Sequence, residues 1–277
     1  MYSAGFGERD AWFVTPLFDA ESGEPRAIVD GARMNPFKTG AAGAVGVDAL
    51  AREDASTLAV IGSGAQARGQ VRATATVRDL DTVWVYSPTK EHRESFAAEM
   101  NERLDASVAA VASSAAAVEE ADVVVTATNA SEPVFDGANL ADGTHVTAMG
   151  QYDPEKRELD ATTIERAVYV PDLRERATQD AGSFIQAVEE GVVTADHVHA
   201  ELGEVVAGSA PGRESPRTSR SSTAAGRASR RRPPLTCCTS ARSSGIAGKR
   251  SSSRPRARRS PASSPRVYVP ERGHPRP

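Results

Sequence analysis

Between Thr57 and Val170 short apolar runs alternate with longer stretches whose apolar residues recur at helical spacing. The runs Thr57–Ile61, Thr82–Tyr86, Val108–Val111, Asp122–Thr128, Thr144–Met149 and Ala167–Val170 read as six strands. The intervening segments 65–78, 91–104 and 113–120 read as helices, the second capped by Thr89 with acidic residues in its first turn. The run Asp122–Thr128 is nearly all apolar, as a strand buried on both faces must be. Such β-α alternation predicts the α/β class, with a doubly wound parallel sheet.

Upstream the pattern changes. Trp12–Asp19 and Arg26–Asp30 read as two strands around a turn at Glu21–Pro25, which is a hairpin. Asn35-Pro36 then breaks the chain. Phe37–Arg52 is apolar at helical spacing and carries Gly40, Gly43 and Gly46, predicting a helix packed closely against a neighbour. Beyond Pro216 the chain is rich in Arg, Ser and Pro without any hydrophobic period, and 217–277 is expected to be disordered.

The clearest chemical signal lies at the first strand-to-helix turn of the alternating region. Gly62-Ser63-Gly64-Ala65-Gln66-Ala67 follows an apolar strand directly and opens a helix, the context of the Rossmann phosphate loop. Gly62 allows the tight turn, Gly64 lets the backbone approach a pyrophosphate, and the small Ala67 lets the helix pack on the sheet. The pyrophosphate would then sit on the N-H groups of the helix start. A carboxylate at the end of the second strand would bind the ribose hydroxyls of NAD, but the sequence there is Tyr86-Ser87-Pro88-Thr89-Lys90. The hydroxyls of Ser87 and Thr89 and the cation of Lys90 suit a 2′-phosphate, favouring NADP over NAD. Thr126, Thr128 and Asn129 end the fourth strand on the side of the nicotinamide ribose, and Met149 and Gly150 end the fifth.

Other residues narrow the chemistry. His197 and His199 are two residues apart, which on a helix points them to different faces and argues against a metal pair. His145 reads as a packing residue, and no metal site is expected. Both cysteines, Cys237 and Cys238, lie in the basic tail, so the preceding part has no thiol for a disulfide or for catalysis. No apolar stretch approaches the ~20 residues that cross a bilayer, and no signal peptide opens the chain; a cytoplasmic protein is expected.

The net charge of -4 conceals two opposed regions. Residues 1–216 hold 36 acidic and 17 basic residues, 17 - 36 = -19, whereas the last 61 residues hold 16 basic and 1 acidic, +15. The acid excess with only Lys38, Lys90 and Lys156 fits a protein adapted to concentrated salt, where self-repulsion is screened. The basic tail invites a nucleic-acid reading, but it lacks interleaved aromatics.

Lys38-Thr39-Gly40-Ala41-Ala42, the glycine loop, Arg157-Glu158-Leu159-Asp160 and the run His199–Val205 together resemble the ornithine cyclodeaminase/mu-crystallin family over about Trp12 to Pro216. The resemblance implies a homodimeric oxidoreductase whose Rossmann domain, 55–172, is inserted into a substrate domain represented by 1–54 and by a return segment, 173–216. It implies hydride transfer at an amino-acid α-carbon on an amino acid, imine or 2-oxo acid, as in alanine dehydrogenase or ketimine reduction. The alternatives are ornithine cyclodeamination to proline and ammonia, or a non-catalytic NADP-binding remnant. Lys38 stands where the family pairs a basic residue, usually Arg, with the substrate carboxylate. The family's amine-handling Asp falls at Tyr152 here, with Asp153 one residue late, which leans toward simple imine or keto-acid reduction.

The resemblance also implies a further segment before Met1, with a substrate-binding Lys and part of the dimer surface. At the other end, Pro216–Leu235 written in GC-rich codons and read one nucleotide earlier permits EDVTVFDSGGTGIETAAAA, continuing as HLLYERA over Thr236–Arg242. That string restores the acidic bias, a strand, a glycine turn and an amphipathic helix, so the tail is expected to be an out-of-frame translation. Sequencing the DNA tests this expectation. GC-rich third positions and an open shifted frame should be found, whereas stop codons in that frame would rule it out.

Overall fold

The computed structural model describes residues 2–4, 11–149, 153–213 and 235–239. The chain divides into two compact units, with the boundary between Asn35 and Pro36. In the first, β1 (Tyr2–Ala4), β2 (Ala11–Phe18) and β3 (Pro25–Asp30) form an antiparallel sheet in that order. The expected hairpin is present. Its turn closes on Asp19, which accepts the N-H groups of Glu21 and Ser22 and pairs with Arg26. The Ser22 N-H, the Arg26 guanidinium and the Glu21 N-H, in that order, hold its carboxyl down to about 2.

Among the described residues the second unit is built on seven parallel strands in the order β6-β5-β4-β7-β8-β10-β9, with β4 Thr57–Ile61, β5 Thr82–Tyr86, β6 Ser107–Ala110, β7 Val123–Thr126, β8 His145–Ala148, β9 Ala167–Pro171 and β10 Leu235–Thr239. The strand order reverses between β4 and β7, the place where doubly wound sheets bind ligands. Alternation within the strands divides the core in two. Leu58, Val60, Val83, Val85, Val123 and Val125 pack on one face with Val71, Phe96 and Met100. Ala59, Ile61, Val124 and Val146 pack on the other, where Tyr169 stacks on Phe184 at 4.6 Å. His145 is fully buried, and its Nε2 lies 2.9 Å from Thr147 Oγ1. Burial, with Arg213 and Arg78 nearby, pushes its pKa down to about 3, so it packs as a neutral ring.

Two expectations are corrected. Pro36 does not break the chain, because α1 runs from Gly31 to Leu50 with Pro36 inside it. Asp30 Oδ1 accepts the N-H of Ala32 at the helix start, and Pro36 removes only one backbone donor. The helix starting at Ala65, α2, ends at Thr74 rather than Arg78. The Arg78 side chain instead donates to the carbonyls of Val47, Asp48, Ala51 and Arg52, satisfying the C-terminal end of α1. Within the basic tail one short strand is described. Leu235–Thr239 is β10, lying between β8 and β9, which do not pair with each other. Two facing strand edges are a strong template, and Leu-Thr-Cys-Cys-Thr suits a strand. The rest of 217–277, and with it the proposed shifted sequence, lies outside the described residues.

The expected close packing of the glycine-bearing helix is found, and its neighbour is α2. A Cβ on Gly69 would come within 2.2 Å of the Pro36 carbonyl oxygen, and one on Gly40 within 2.4 Å of the Gly69 carbonyl oxygen. Backbone meets backbone at this crossing, so no side chain can move aside. Gly69→Ala should therefore destabilise the fold by about 1–3 kcal/mol, measured as a lower urea midpoint; an unchanged midpoint would show that the crossing is not needed for stability.

Candidate cofactor site

The glycine loop sits at the carboxyl end of β4 and turns into α2 (Ala65–Thr74). Gly62 has φ 117°, in the region that favours glycine, and a Cβ there would lie 2.3 Å from the Ala127 carbonyl oxygen. Its N-H donates to the Tyr86 carbonyl at 2.8 Å. Gly64 is different, because it is exposed and a Cβ on it would meet nothing within 4 Å. As the N-cap of α2 it offers no side-chain partner to the first N-H groups, which leaves the backbone of Ala65, Gln66 and Ala67 suited to an anion. Ala67 is fully buried under the sheet, as its small size was expected to allow.

Arg68 ties this loop to the next helix, α3 (Lys90–Asn101). Its Nη1 donates to the Ser63 carbonyl, its Nε pairs with Glu99 at 2.6 Å, and its guanidinium lies 5.1 Å from the Phe96 ring centre. The hydrogen bond from Arg68 lowers the pKa of Glu99. The Ser63 and Ser87 hydroxyls stand 3.0 Å apart, joining the phosphate loop to the end of β5. Thr89 is the N-cap of α3 in position only, because its side chain makes no capping bond. Lys90 pairs with Glu94, and Arg93, which no sequence motif marks, donates to the Ser87 and Pro88 carbonyls and lies 5.8 Å from the Tyr86 ring centre. The Ser63 hydroxyl, the Thr89 carbonyl and the Arg93 guanidinium thus meet Ser87, and the Tyr86–Lys90 segment holds no carboxylate.

Thr126 and Thr128, expected beside the nicotinamide ribose, face a buried carboxylate. Thr126 Oγ1 donates to Glu158 Oε2 at 3.0 Å, and both the N-H and the hydroxyl of Thr128 donate to Glu158 Oε1 at 2.7 Å. Thr126 is completely buried and its hydroxyl is engaged, whereas Asn129 is exposed. Neighbouring Asp160 accepts from Gly137 N-H and caps α4 (Ala161–Arg166) through Thr163, and Arg157 pairs with Glu190. The motif Arg157–Asp160 is therefore a set of clamps.

The expected catalytic residues are placed as follows. Lys38 is exposed on α1, one residue before the buried Thr39, whose carbonyl accepts from Gln70 Nε2 of α2 at 3.1 Å. The same Nε2 meets Met149 Sδ at 2.6 Å, so Gln70 joins the Lys38 segment to the end of β8. Asp153 is half-exposed, pairs with Lys156 at 3.3 Å and accepts the Glu155 N-H. Gly150 and Tyr152 lie outside the described residues. His197 and His199 each bond a backbone carbonyl, of Ile164 and Pro211, and no metal-ligating cluster occurs among the described residues. Nor is any described helix long and apolar enough to cross a membrane.

The sheet order and the open glycine loop define a Rossmann fold of the dinucleotide-binding class. A family model described as the ornithine cyclodeaminase/mu-crystallin family matches residues 6–220, and the chain belongs to that family. It is 37% identical over 203 residues to a Delta(1)-pyrroline-2-carboxylate reductase of Bacillus cereus, covering 73% of this chain and 62% of that one. The chain thus spans less than two thirds of that relative's length. Among solved structures it resembles the Thermococcus litoralis Delta(1)-pyrroline-2-carboxylate reductase in complex with NADH and L-proline, with TM-score 0.75, 32% identity, and 85% and 68% of the two chains covered. An archaeal alanine dehydrogenase dimer with bound NAD gives TM-score 0.72 at 30% identity, covering 85% and 67%.

Proposed function

We propose that this chain acts as an NAD(P)-dependent oxidoreductase that reduces an imine or 2-oxo acid to an amino acid, or the reverse. The observation that carries the reading is that one family match runs through both Lys38 and the open phosphate loop. Similarity to a cyclic-imine reductase and to an alanine dehydrogenase supports the same reaction class. In this reading 55–172 is the dinucleotide-binding domain, and 1–54 and 173–216 belong to the substrate domain.

The loop fits a dinucleotide, because Gly64 leaves room for a pyrophosphate against the uncapped start of α2. When bound, the nicotinamide supplies or accepts hydride at the substrate α-carbon. Lys38 anchors the substrate carboxylate as a point charge, and Asp153 or a water moves the proton at the substrate nitrogen or oxygen. The existing pairing of Asp153 with Lys156 and Glu155 supports the water. Ser87, Thr89 and Lys90, now joined by Arg93, favour a 2′-phosphate and hence NADP. The acid excess of 1–216 supports a cytoplasmic, salt-adapted protein, and the alanine dehydrogenase dimer supports a homodimer.

Titration of the purified full chain with NADPH and NADH in high salt, followed by assay with Δ1-pyrroline-2-carboxylate and with pyruvate plus ammonia, tests this reading. NADPH should bind more tightly and be oxidised with one of these substrates. Proline and ammonia from ornithine without net cofactor change would select cyclodeamination instead. Binding without any turnover would select the non-catalytic remnant, and no binding at all would overturn the reading.

A further inference from the structure

We propose that Glu158 is the positioning residue of the cofactor site, fixing the loop after β7 against the phosphate turn through its hold on Thr126 and Thr128. The inference rests on the dinucleotide reading of that site. Glu158 is 2% exposed and lies in the clamp motif after β8, well separated in sequence from the loop it holds. One carboxylate oxygen takes two donors from Thr128, its N-H and its hydroxyl, while the other takes the Thr126 hydroxyl. Between these two threonines stands Ala127, whose carbonyl oxygen occupies the space a side chain on Gly62 would need. The Ala127 N-H donates to the Ile61 carbonyl at 2.9 Å, directly before that glycine.

The order of contact is therefore Glu158, then Thr126 and Thr128, then Ala127, then the turn at Gly62. β7 ends at Thr126, and its pairing with β4 closes at the Ala127 N-H, one residue further. A charged acceptor inside the protein makes stronger hydrogen bonds than a neutral one, and it holds both sides of Ala127 at once. Glu158 also anchors from its own backbone, since its carbonyl accepts the Val134 N-H at 2.9 Å, where the same loop returns. The carboxylate needs no contact with a ligand to act. It sets where the carbonyl and side chains of 127–129 stand, at the sheet's carboxyl edge beside the phosphate loop.

Three full-length chains test the assignment: the parent, Glu158→Ala and Glu158→Gln. The Gln side chain keeps one acceptor for the Thr128 N-H, and its amide N-H₂ can donate to the Thr126 hydroxyl, which then acts as acceptor. Glu158→Ala leaves the half-buried Thr128 N-H without its carboxylate partner, so NADPH affinity should fall about tenfold or more, while Glu158→Gln should stay within about threefold of the parent. Hydrogen exchange without any cofactor gives a second readout. The Thr128 amide should exchange faster in Glu158→Ala and be restored in Glu158→Gln, with the amides of β4 unchanged. If the alanine chain proves too unstable to titrate, Thr128→Val, which keeps the N-H bond and removes only the hydroxyl, should weaken NADPH binding by a smaller factor. Unchanged NADPH affinity or unchanged Thr128 exchange in Glu158→Ala would overturn the role of Glu158. Failure of the parent to bind NADPH or NADH would overturn the dinucleotide reading itself.

Discussion

Backbone-to-backbone contact, possible only where glycine stands, is the constraint on which the site depends. Gly40 and Gly69 bring α1 and α2 together with no side chain between them, and Gly62 admits the Ala127 carbonyl beside the phosphate turn. The first contact joins the helix that bears Lys38 to the helix that begins at the phosphate loop. The second joins the ends of β4 and β7, the strands between which the sheet order reverses. These approaches bring the helix of Lys38, the glycine loop and the end of β7 next to one another.

Around those contacts the chain uses polar side chains as ties. Arg68 links the Ser63 carbonyl to α3, Gln70 links Thr39 to Met149, and Glu158 links β7 to the clamp motif. Each reaches from one element at the carboxyl edge of the sheet to another. Arg52 does the same at the opposite edge, pairing with Asp122, whose other oxygen accepts the Ser56 and Thr57 N-H groups. The strands supply burial, and these ties determine where the strand ends stand.

The six strands between Thr57 and Val170 and the glycine loop were legible in the sequence, because apolar runs and a turn that tolerates only glycine are local signals. The hairpin was legible for the same reason, although its turn spans 19–24 and Pro25 already belongs to β3. Pro36 misled because its local preference for ending a helix is outweighed by the tertiary docking of α1 on α2, which the sequence shows only as spaced glycines. The role of Glu158 was hidden for a different reason. Its partners lie about 30 residues away, and a carboxylate in a polar run gives no sign that it will be buried. Arg78 likewise reads as one more helical residue, although it serves the end of another helix. β10 was missed because five residues of modest apolar character become a strand only when two open edges are waiting for them.

Gly64 is the counterpart of the closed glycines, with nothing within 4 Å of where its side chain would be and φ -80°, which any residue adopts. Its absence of a side chain has no packing role in the fold, which leaves close approach of a ligand as the reason for it. The most direct test is the NADPH dissociation constant of Gly64→Ala against the parent, with urea unfolding of both. Binding should be weaker by about tenfold, the loss of one charge-assisted backbone contact, with unfolding free energies within about 0.5 kcal/mol of each other. Equal affinity in the two proteins would contradict it.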